Sequence, residues 1–565
     1  MREPTVRRPS PVDALADRYV ARLAELSPEF AVEAGLPGRR DELDDYSPDG
    51  LAARADLARA TLLELDQASP TDPVDEVTRA AMRERLGLEI ELFDAGEPLR
   101  HLDNISSPVQ GLRDGFDNRP TATEQDWADF ASCLRAVPRA LEQYAQSLRL
   151  AGSRGAVAAR RQVQAAIGQA QAQAEATTCS YRSLIADATT ADGTPVSAPL
   201  AAELERAAAA AQAGYARLVD VLRSEILPLA GETDAVGPER YRRFSRDFLG
   251  AEIDQDETYE WGRERLAEID AEQRAIAERL YGPGVSVREA LDRLNADPDR
   301  TLQGTDALQA WMQQTSDTAI EALDRVHFDI PQPLRTLECR IAPSQTGGIY
   351  YTPPTDDFSR PGRMWWSVPE GTSDFVTWQE RTTVYHEGVP GHHLQCGMQV
   401  YLRDELNTWR RLVSWVSGHG EGWALYAEQL MADLGFHEDP GDRMGVLDSQ
   451  RLRAARVVVD IGVHLSKPRP AELATLPGVG EGRWDYQSAW AFLRHNVAMP
   501  EPNLRFELDR YLGWPGQAPS YAVGQRLWEQ ARDQALAAGT SLKDFHTRAL
   551  RLGSLGLDVL RQTLA

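Results

Sequence analysis

The stretch YHEGVPGHHLQ, residues 385–395, has residue types and spacing that could support hydrolysis. His386 and Glu387 stand at its head, and the adjacent histidines His392 and His393 stand near its end. This order resembles H-E-x-x-H, in which two histidines one helical turn apart bind zinc and the glutamate acts as general base. The stretch therefore predicts a metal-dependent hydrolase in which Glu387 activates a water molecule.

The spacing of these histidines departs from H-E-x-x-H. On an unbroken helix, His386 and His392 lie about 240° apart around the axis, so they cannot share a face. His386 and His393 share a face but lie about 10.5 Å apart along the axis, which is awkward for two ligands of one metal. Pro390 and two nearby glycines predict a kink or two-residue bulge that returns one downstream histidine to the i+4 position. We favour His392 as the second ligand, and His393 is the alternative.

A third ligand is expected from SGHGEGWALYAE, residues 417–428, which begins like a helix and contains two glutamates. Glu421 lies 29 residues after His392, close to the separation at which helical zinc peptidases place their glutamate ligand. Its other interpretation is an ordinary acid at a helix N-terminus, where the helix dipole favours it. Glu428 shares the helical face of Glu421 and could orient a ligand or bind the metal itself. The four cysteines form no CxxC pair, so histidine and glutamate must hold the metal, which we predict to be Zn²⁺.

Seven of the ten histidines fall between residues 386 and 495, more than the metal itself needs. His419 and His464 are candidates for the wall of the site, where their protons could pair with a carbonyl or carboxylate of a substrate. Their alternative is a packed or supporting role in the interior. Arg360 or Arg494 could bind a substrate carboxylate, on the chemistry of the guanidinium group alone.

Helices must position most of these residues. From about Pro11 to Arg325 the sequence is rich in Ala, Leu, Glu and Arg, with apolar residues three and four apart, and the pattern returns from Asp374 to Ala565. Between these regions, residues 335–370 alternate β-formers with glycine and proline, which predicts a small β-sheet insertion. The text GGIYY within it, containing Tyr350 and Tyr351, could offer an edge to which an extended peptide adds as a strand.

The overall composition excludes several classes of protein. The chain has 565 residues, and 61 basic against 86 acidic side chains give a net charge of −25, which argues against nucleic acid as a partner. No stretch approaches the roughly 20 apolar residues of a membrane span, and no apolar core of a signal peptide follows the N-terminal arginines. With few and unpaired cysteines, these features predict a cytoplasmic protein without a membrane partner.

Several motifs together resemble a bacterial family of predicted zinc metallopeptidases, domain of unknown function 885. The likeness covers most of the chain and rests on HEGVPGHHLQ and on the segments YYTPPTDDFSRPGRMWW, GEGWALYAEQL, RAARVVVDIGVH, RYLGWPGQAPSYAVGQ and FHTRALRLGSLGLDVL. One departure is the proline before SYAVGQ, where the family usually has leucine, and it barely touches the chemistry.

The resemblance implies a mainly α fold, similar to helical gluzincin peptidases. An N-terminal helical lobe, residues 1–330, and a catalytic lobe, residues 331–565, would form two walls of a deep channel that holds the zinc ion. Such a channel excludes folded proteins, so the expected substrate is a short peptide. The alternatives are a metal-dependent amidase or esterase on a non-peptide substrate, and an inactive helical binding protein with a residual metal site.

The resemblance also implies roles for individual residues. His386, Glu421 and either His392 or His393 would bind zinc, and Glu387 would activate the water. Tyr521, in SYAVGQ, would supply the hydroxyl that stabilises the oxyanion, because a tyrosine from a C-terminal helix does so in the helical peptidases that the sequence resembles. A buried tyrosine that caps a helix is the alternative interpretation of Tyr521.

Overall fold

The structure is a computed structural model that describes residues 7–343 and 348–565. Most of these residues lie in α-helices, and two small sheets are inserted near the middle of the chain. The predicted fold class, mainly α with a small β insertion, is therefore confirmed. Gly347, the first residue of the expected GGIYY edge, lies outside the described residues.

The first half of the chain is built from helices that begin at recognisable caps. Ser10 accepts a hydrogen bond from the backbone N–H of Asp13, whose side chain accepts one from the N–H of Ser10, and a proline follows the cap. The helices are α1 (Pro11–Leu26), α2 (Pro28–Glu33), α3 (Pro48–Gln67), α4 (Pro73–Asp94), α5 (Pro108–Asp114), α6 (Glu124–Ser153), α7 (Arg160–Ala174), α8 (Ser180–Ile185), α9 (Ala198–Val221), α10 (Pro238–Leu249), α11 (Gln255–Tyr281), α12 (Val287–Asn295) and α13 (Thr305–Leu323).

Two sheets separate these helices from the second half. The strands are β1 (Thr301–Gln303), β2 (Leu337–Ile341), β3 (Ile349–Thr352), β4 (Gly362–Trp366) and β5 (Asp374–Val376). β1 pairs antiparallel with β5, while β4 lies between a parallel β2 and an antiparallel β3. Alternate residues of β4 are buried, as expected for a strand with one face on the core. Among the described strands, β3 therefore lies at an edge of the three-stranded sheet.

Helices return after β5 and carry the predicted chemistry. They are α14 (Thr377–Glu387), α15 (His392–Tyr401), α16 (Thr408–Leu412), α17 (Ser417–Asp433), α18 (Pro440–His464), α19 (Ala471–Ala474), α20 (Tyr486–Asn496), α21 (Glu501–Gly513), α22 (Ser520–Ala537), α23 (Leu542–Arg551) and α24 (Leu557–Leu564). α17 and α22 cross at Gly422 and Gly524, where a Cβ atom on Gly422 would clash with the backbone of Gly524. The absence of side chains at this crossing lets the two helices approach backbone to backbone.

The buried apolar residues form two cores of unequal size. Residues between 102 and 230, from just before α5 to just after α9, build the smaller core. Val12 of α1 and Met82 of α4 belong instead to the larger core, together with Trp423 and Trp528. The first helices therefore share the larger core with α17 and α22, and the division into two lobes near residue 330 stays a prediction. No helix in the described part of the chain is both long and apolar enough to cross a membrane.

Buried histidines should make the fold sensitive to acid. Burial lowers the pKa of His546 and His464 to about 4, whereas an unfolded histidine titrates near 6.5. The unfolded chain therefore binds protons that the folded chain does not, and each such group removes roughly 2 kcal/mol of stability between pH 6.5 and 5.

Urea unfolding at pH 7 and pH 5 tests this expectation. His546 accepts a hydrogen bond from the Tyr426 hydroxyl at 2.8 Å, which a glutamine can also accept. The free energy of unfolding of His546→Gln should therefore fall less on acidification than that of the wild type, by about 2 kcal/mol. Equal losses in the two proteins would show that His546 is not kept neutral by the fold.

Candidate functional site

The helix that begins the HEGVPGHH motif breaks at its glycines. α14 ends at Glu387, α15 begins at His392, and the Val389–Pro390 peptide bond between them is cis. The N–H of Gly391 donates to the carbonyl oxygen of Tyr385 at 3.1 Å, and a Cβ atom on Gly391 would overlap the carbonyl oxygen of His386. The predicted interruption of the helix is therefore present, and it requires glycine at residue 391.

The break brings together two histidines and a glutamate from three helices. Nε2 of His386 lies 3.4 Å from Oε2 of Glu421, and Nε2 of His392 lies 3.7 Å from the same oxygen. One possible ligand atom from each residue lies within 4.8 Å of the others, and all three side chains are largely buried. This His/His/Glu group, referred to below as the triad, could hold a metal ion.

His393 points away from the triad. Its Nε2 donates to the carbonyl oxygen of Leu334 at 3.0 Å, and its Nδ1 accepts from the Tyr351 hydroxyl at 3.0 Å. Both ring nitrogens are therefore occupied, and burial lowers the pKa of His393 to about 4. Of the two downstream histidines, the structure places only His392 with the triad, and His393 fixes the break to β3 and to the segment before β2.

Glu428 orients the first histidine of the triad. Its Oε1 accepts a hydrogen bond from Nδ1 of His386 at 2.8 Å, while its Oε2 accepts from Thr382 at 2.6 Å and from Ser449 at 3.1 Å. With Nδ1 occupied as a donor, Nε2 of His386 is the nitrogen that faces Glu421. Of the two roles open to Glu428 in the sequence, the structure supports orientation. Thr382 and Ser449 were missed, although a hydroxyl one turn before His386 on the same helix is a usable signal.

The charges of the triad compensate one another in a buried setting. Burial opposes the charged form of His386, but hydrogen bonds to Glu421 and Glu428 outweigh it and raise the pKa of His386 to about 9. Burial would raise the pKa of Glu421, yet its hydrogen bonds to His386 and His392 hold that pKa well below its usual range. The carboxylate of Glu421 is therefore ionised and available to a cation.

Glu387 lies directly beside the triad at the end of α14. Its side chain is buried, and among the described residues none donates a hydrogen bond to its carboxylate. Burial raises the pKa of Glu387, and the imidazoles of His392 and His386 oppose this only in part. A carboxylate with a raised pKa and free oxygen atoms is suited to accept a proton from a neighbouring water molecule.

Tyr521 reaches the same region from α22. Burial raises the pKa of the Tyr521 hydroxyl, and the carboxylate of Glu421 raises it further, so these groups lie within electrostatic range. The guanidinium carbon of Arg456 lies 5.2 Å from the centre of the Tyr521 ring. The glycine crossing of α17 with α22 brings the helix that carries Tyr521 against the helix that carries Glu421.

The two tyrosines of the predicted peptide edge have different surroundings. Tyr350 is 43% exposed, and its ring stacks on Trp365 at 6.3 Å between centroids. Tyr351 points inward, where its hydroxyl contacts His393. Only Tyr350 is therefore accessible from the edge strand β3, while Tyr351 supports the motif.

The two candidate wall histidines lie in the packed interior. His419 packs edge-on against Trp528 at 5.0 Å, and burial lowers its pKa to about 3. His464 is fully buried and donates to the carbonyl oxygen of Tyr511 at 3.0 Å. Ser449, which contacts Glu428, lies on the same helix, α18, fifteen residues before His464. This separation corresponds to about 22 Å along the helix axis. The structure therefore does not bring His464 to the triad.

The two candidate arginines also have partners of their own. Arg494 is exposed on α20 and pairs with Glu501 at 2.9 Å. Arg360 donates to the carbonyl oxygens of Pro361 and Pro353 and so fixes the loop before β4. Neither arginine is placed beside the triad by any of these contacts.

The fold is shared with two bacterial proteins of known structure. A "putative lipoprotein" from Colwellia psychrerythraea matches with a TM-score of 0.80 at 20% identity, covering 99% of each chain. A "putative lipoprotein of unknown function" from Shewanella oneidensis matches with a TM-score of 0.75 at 14% identity, covering 98% of this chain and 99% of that chain. A third structure, "PZ peptidase A with inhibitor 2", has a TM-score of only 0.35 at 12% identity, covering 91% of this chain and 93% of that chain, which is too low to indicate a shared fold.

The expected cytoplasmic location is contradicted by the first two structures, because both proteins are described as lipoproteins. The expectation rested on the residue types of the N-terminal segment and on the four cysteines, which are free in the structure. Neither observation determines where a chain of this fold resides. Because the two similar structures are described as lipoproteins, the cytoplasmic prediction is wrong.

The family resemblance can be tested over the whole chain. No curated protein matches the sequence. A family model described as "Bacterial protein of unknown function (DUF885)" matches residues 28–564, which confirms the resemblance carried by HEGVPGHHLQ and its companion segments. The chain therefore belongs to the bacterial DUF885 family.

Proposed function

We propose that this protein is a zinc-dependent peptidase that hydrolyses short peptides. The observation that carries the proposal is the meeting of His386, His392 and Glu421 within 4.8 Å, with Glu387 next to the first histidine. Two imidazoles and one carboxylate would hold the metal with a ligand set used by catalytic zinc sites, which reserve their fourth position for water.

The surroundings of the triad fit a catalytic site better than a structural one. A structural zinc site fills its fourth position with protein and has no use for a base beside it. Here Glu428 occupies Nδ1 of His386 at 2.8 Å, which leaves Nε2 to a metal. Among the described residues, the Glu387 carboxylate has no hydrogen-bond donor that would compete with a water molecule.

The residues of the chain divide the reaction between them. Zinc, when bound, supplies Lewis acidity, which lowers the pKa of a water molecule towards neutrality and polarises a carbonyl oxygen. Glu387 takes the proton of the attacking water and returns it to the leaving amine. Tyr521 donates a hydrogen bond to the developing oxyanion, and the Glu421 charge keeps its hydroxyl protonated by raising its pKa.

The choice of a peptide substrate rests on the neighbouring sheet. β3 is an edge strand next to the HEGVPGHH motif, since Tyr351 contacts His393 directly. Its backbone can pair with an extended chain, and the exposed ring of Tyr350 can pack on a side chain. Access through a deep channel, which would limit substrates to short peptides, stays a prediction.

Metal analysis of variants tests the ligand set. We expect His386→Ala and His392→Ala to bind zinc at least tenfold more weakly than the wild type, since each removes one ligand nitrogen. His393→Gln is the matched control from the same motif and should retain zinc, because both nitrogens of His393 are already hydrogen-bonded. Zinc content by mass spectrometry, with circular dichroism to check folding, is the measurement. Full zinc occupancy in both alanine variants would place the site elsewhere.

The general base can be separated from the metal site by substitution of Glu387. Glu387→Gln should lose at least a hundredfold in turnover while it retains zinc, because the amide cannot accept the proton. Glu380→Gln, on the same helix, is the control and should retain turnover. The assay is digestion of a peptide library read by mass spectrometry. If Glu387→Gln turns over peptides at the wild-type rate, the proposed mechanism is excluded; if the wild type cleaves amide or ester substrates but no peptide, the substrate class is wrong.

The hydroxyl of Tyr521 should matter in the transition state more than in binding. Tyr521→Phe is expected to lower kcat by ten- to a hundredfold with little change in KM, because it removes one donor to the oxyanion. Tyr426→Phe, which removes a buried hydroxyl bonded to His546, is the control. Steady-state kinetics on one peptide decides the matter, and an equal effect of both substitutions would point to a structural role for Tyr521.

A further inference from the structure

A buried ionic cluster lies against the ring of Tyr521. It consists of Arg456 on α18 with Glu507, Arg510 and Tyr511 on α21. The guanidinium group of Arg456 lies over the rings of both Tyr511 and Tyr521, at 5.4 and 5.2 Å from their centres. The cluster is therefore one aromatic ring away from the hydroxyl that we assign to the oxyanion.

The carboxylate of Glu507 accepts four hydrogen bonds from its neighbours. Its Oε2 accepts from Arg456 at 2.8 Å, from Arg510 at 2.8 Å and from the Tyr511 hydroxyl at 2.6 Å. Its Oε1 accepts a further hydrogen bond from Arg510 at 3.1 Å. This environment holds the pKa of Glu507 at about 2, with the charges of Arg456 and Arg510 overcoming the cost of burial. Glu507 is one anion shared between two cations.

The two arginines differ in how many of their donors are used. Arg510 donates through Nε and Nη2 to Glu507 and through Nη1 to Gln517. Arg456 donates through Nε to Tyr511 at 2.7 Å and through Nη2 to Glu507. No described residue accepts a hydrogen bond from Nη1 of Arg456, although the residue is only 7% exposed. A buried guanidinium with a free amino group is suited to bind an anion.

The cluster also carries an excess of positive charge. Asp460 is a further acid within range of Arg510; burial raises the pKa of Asp460 to about 7, so it compensates only in part near neutrality. Oδ1 of Asp460 accepts hydrogen bonds from the Tyr241 hydroxyl at 2.8 Å and from the N–H of Gly516 at 3.0 Å. The cluster therefore holds two guanidinium groups against the one carboxylate of Glu507, and among their contacts Nη1 of Arg456 has no described acceptor.

We propose that Arg456 binds the C-terminal carboxylate of the substrate, and that the protein therefore removes residues from the C-terminal end of peptides. The inference rests on the proposed peptidase function. An extended chain advances about 3.3–3.6 Å per residue, so one or two residues beyond the scissile bond span the width of the Tyr521 ring. A carboxylate at that point would accept a charge-assisted hydrogen bond from Nη1 of Arg456, a residue that is only 7% exposed.

Paired substrates test the proposal on the zinc-loaded protein. One peptide is offered with a free C-terminal carboxylate and with a C-terminal amide. The wild type should have at least a tenfold higher kcat/KM for the free acid, and mass spectrometry should show products shortened by one or two residues at the C-terminus. Equal kcat/KM for the two peptides, or cleavage at internal bonds of both, would overturn the proposal.

Variants of the cluster separate carboxylate binding from folding. In Arg456→Gln the ratio of kcat/KM between acid and amide should fall to about one, mainly through KM for the acid. Arg510→Gln disturbs the same Glu507 cluster but removes no free donor, so the preference for the acid should persist. Arg456→Lys retains the charge and should restore part of the preference if Arg456→Gln folds poorly. An unchanged ratio in folded Arg456→Gln would exclude Arg456 as the anchor.

Binding without turnover distinguishes this inference from the proposed function. Calorimetry with zinc-loaded Glu387→Gln measures the affinity for both peptides when no hydrolysis occurs. If the peptide with the free carboxylate binds more tightly, and the addition of Arg456→Gln abolishes this difference, Arg456 binds the carboxylate. This result would stand even if the wild type hydrolyses no peptide, and then only the proposed peptidase function would be wrong. If both peptides are hydrolysed with no preference in binding or kinetics, the proposed peptidase function is retained and the role of Arg456 in binding the carboxylate is excluded.

Discussion

The backbone of Gly391 packs against the last turn of α14, where its N–H bonds to the carbonyl oxygen of Tyr385 and no side chain could be accommodated. This contact folds the chain back on itself, so that α15 starts beside the end of α14 rather than continuing it. His386 and His392 then come to within reach of one carboxylate oxygen of Glu421. The His/His/Glu arrangement of the site depends on this sharp reversal between α14 and α15.

Two glutamates on one helix give the triad its electrostatic balance. Glu421 faces both imidazoles directly, and Glu428, two turns later on α17, supports His386 from its other nitrogen. A buried carboxylate is costly unless it is paired, and each glutamate here has its own partners. Glu387 differs from both, since burial raises its pKa and no described residue donates to it. The site thus separates two carboxylates that stay charged from one that can exchange a proton.

The sequence predicts the parts of the site that lie close together along the chain. The helical fold class, the break at the glycines and the small sheet follow from periodicity and from residue types at fixed positions. The sequence favours His392 over His393 without excluding either, because the position of His393 depends on the Leu334 carbonyl and on Tyr351, which lie 59 and 42 residues away. His464 falls away from the triad for a geometrical reason, since a long straight helix separates it from Ser449. Arg456 gave no signal, because its partners are on a helix some fifty residues later.

The glycine crossing of α17 and α22 has a mechanical consequence. Gly422 and Gly524 bring the two backbones into contact with no side chain between them that could change rotamer. Glu421 and Tyr521, on either side of this crossing, therefore move as one rigid unit. A change in their spacing would have to separate two backbones that are in direct contact. The separation of the backbone segments that carry Glu421 and Tyr521 is thus set by direct backbone packing.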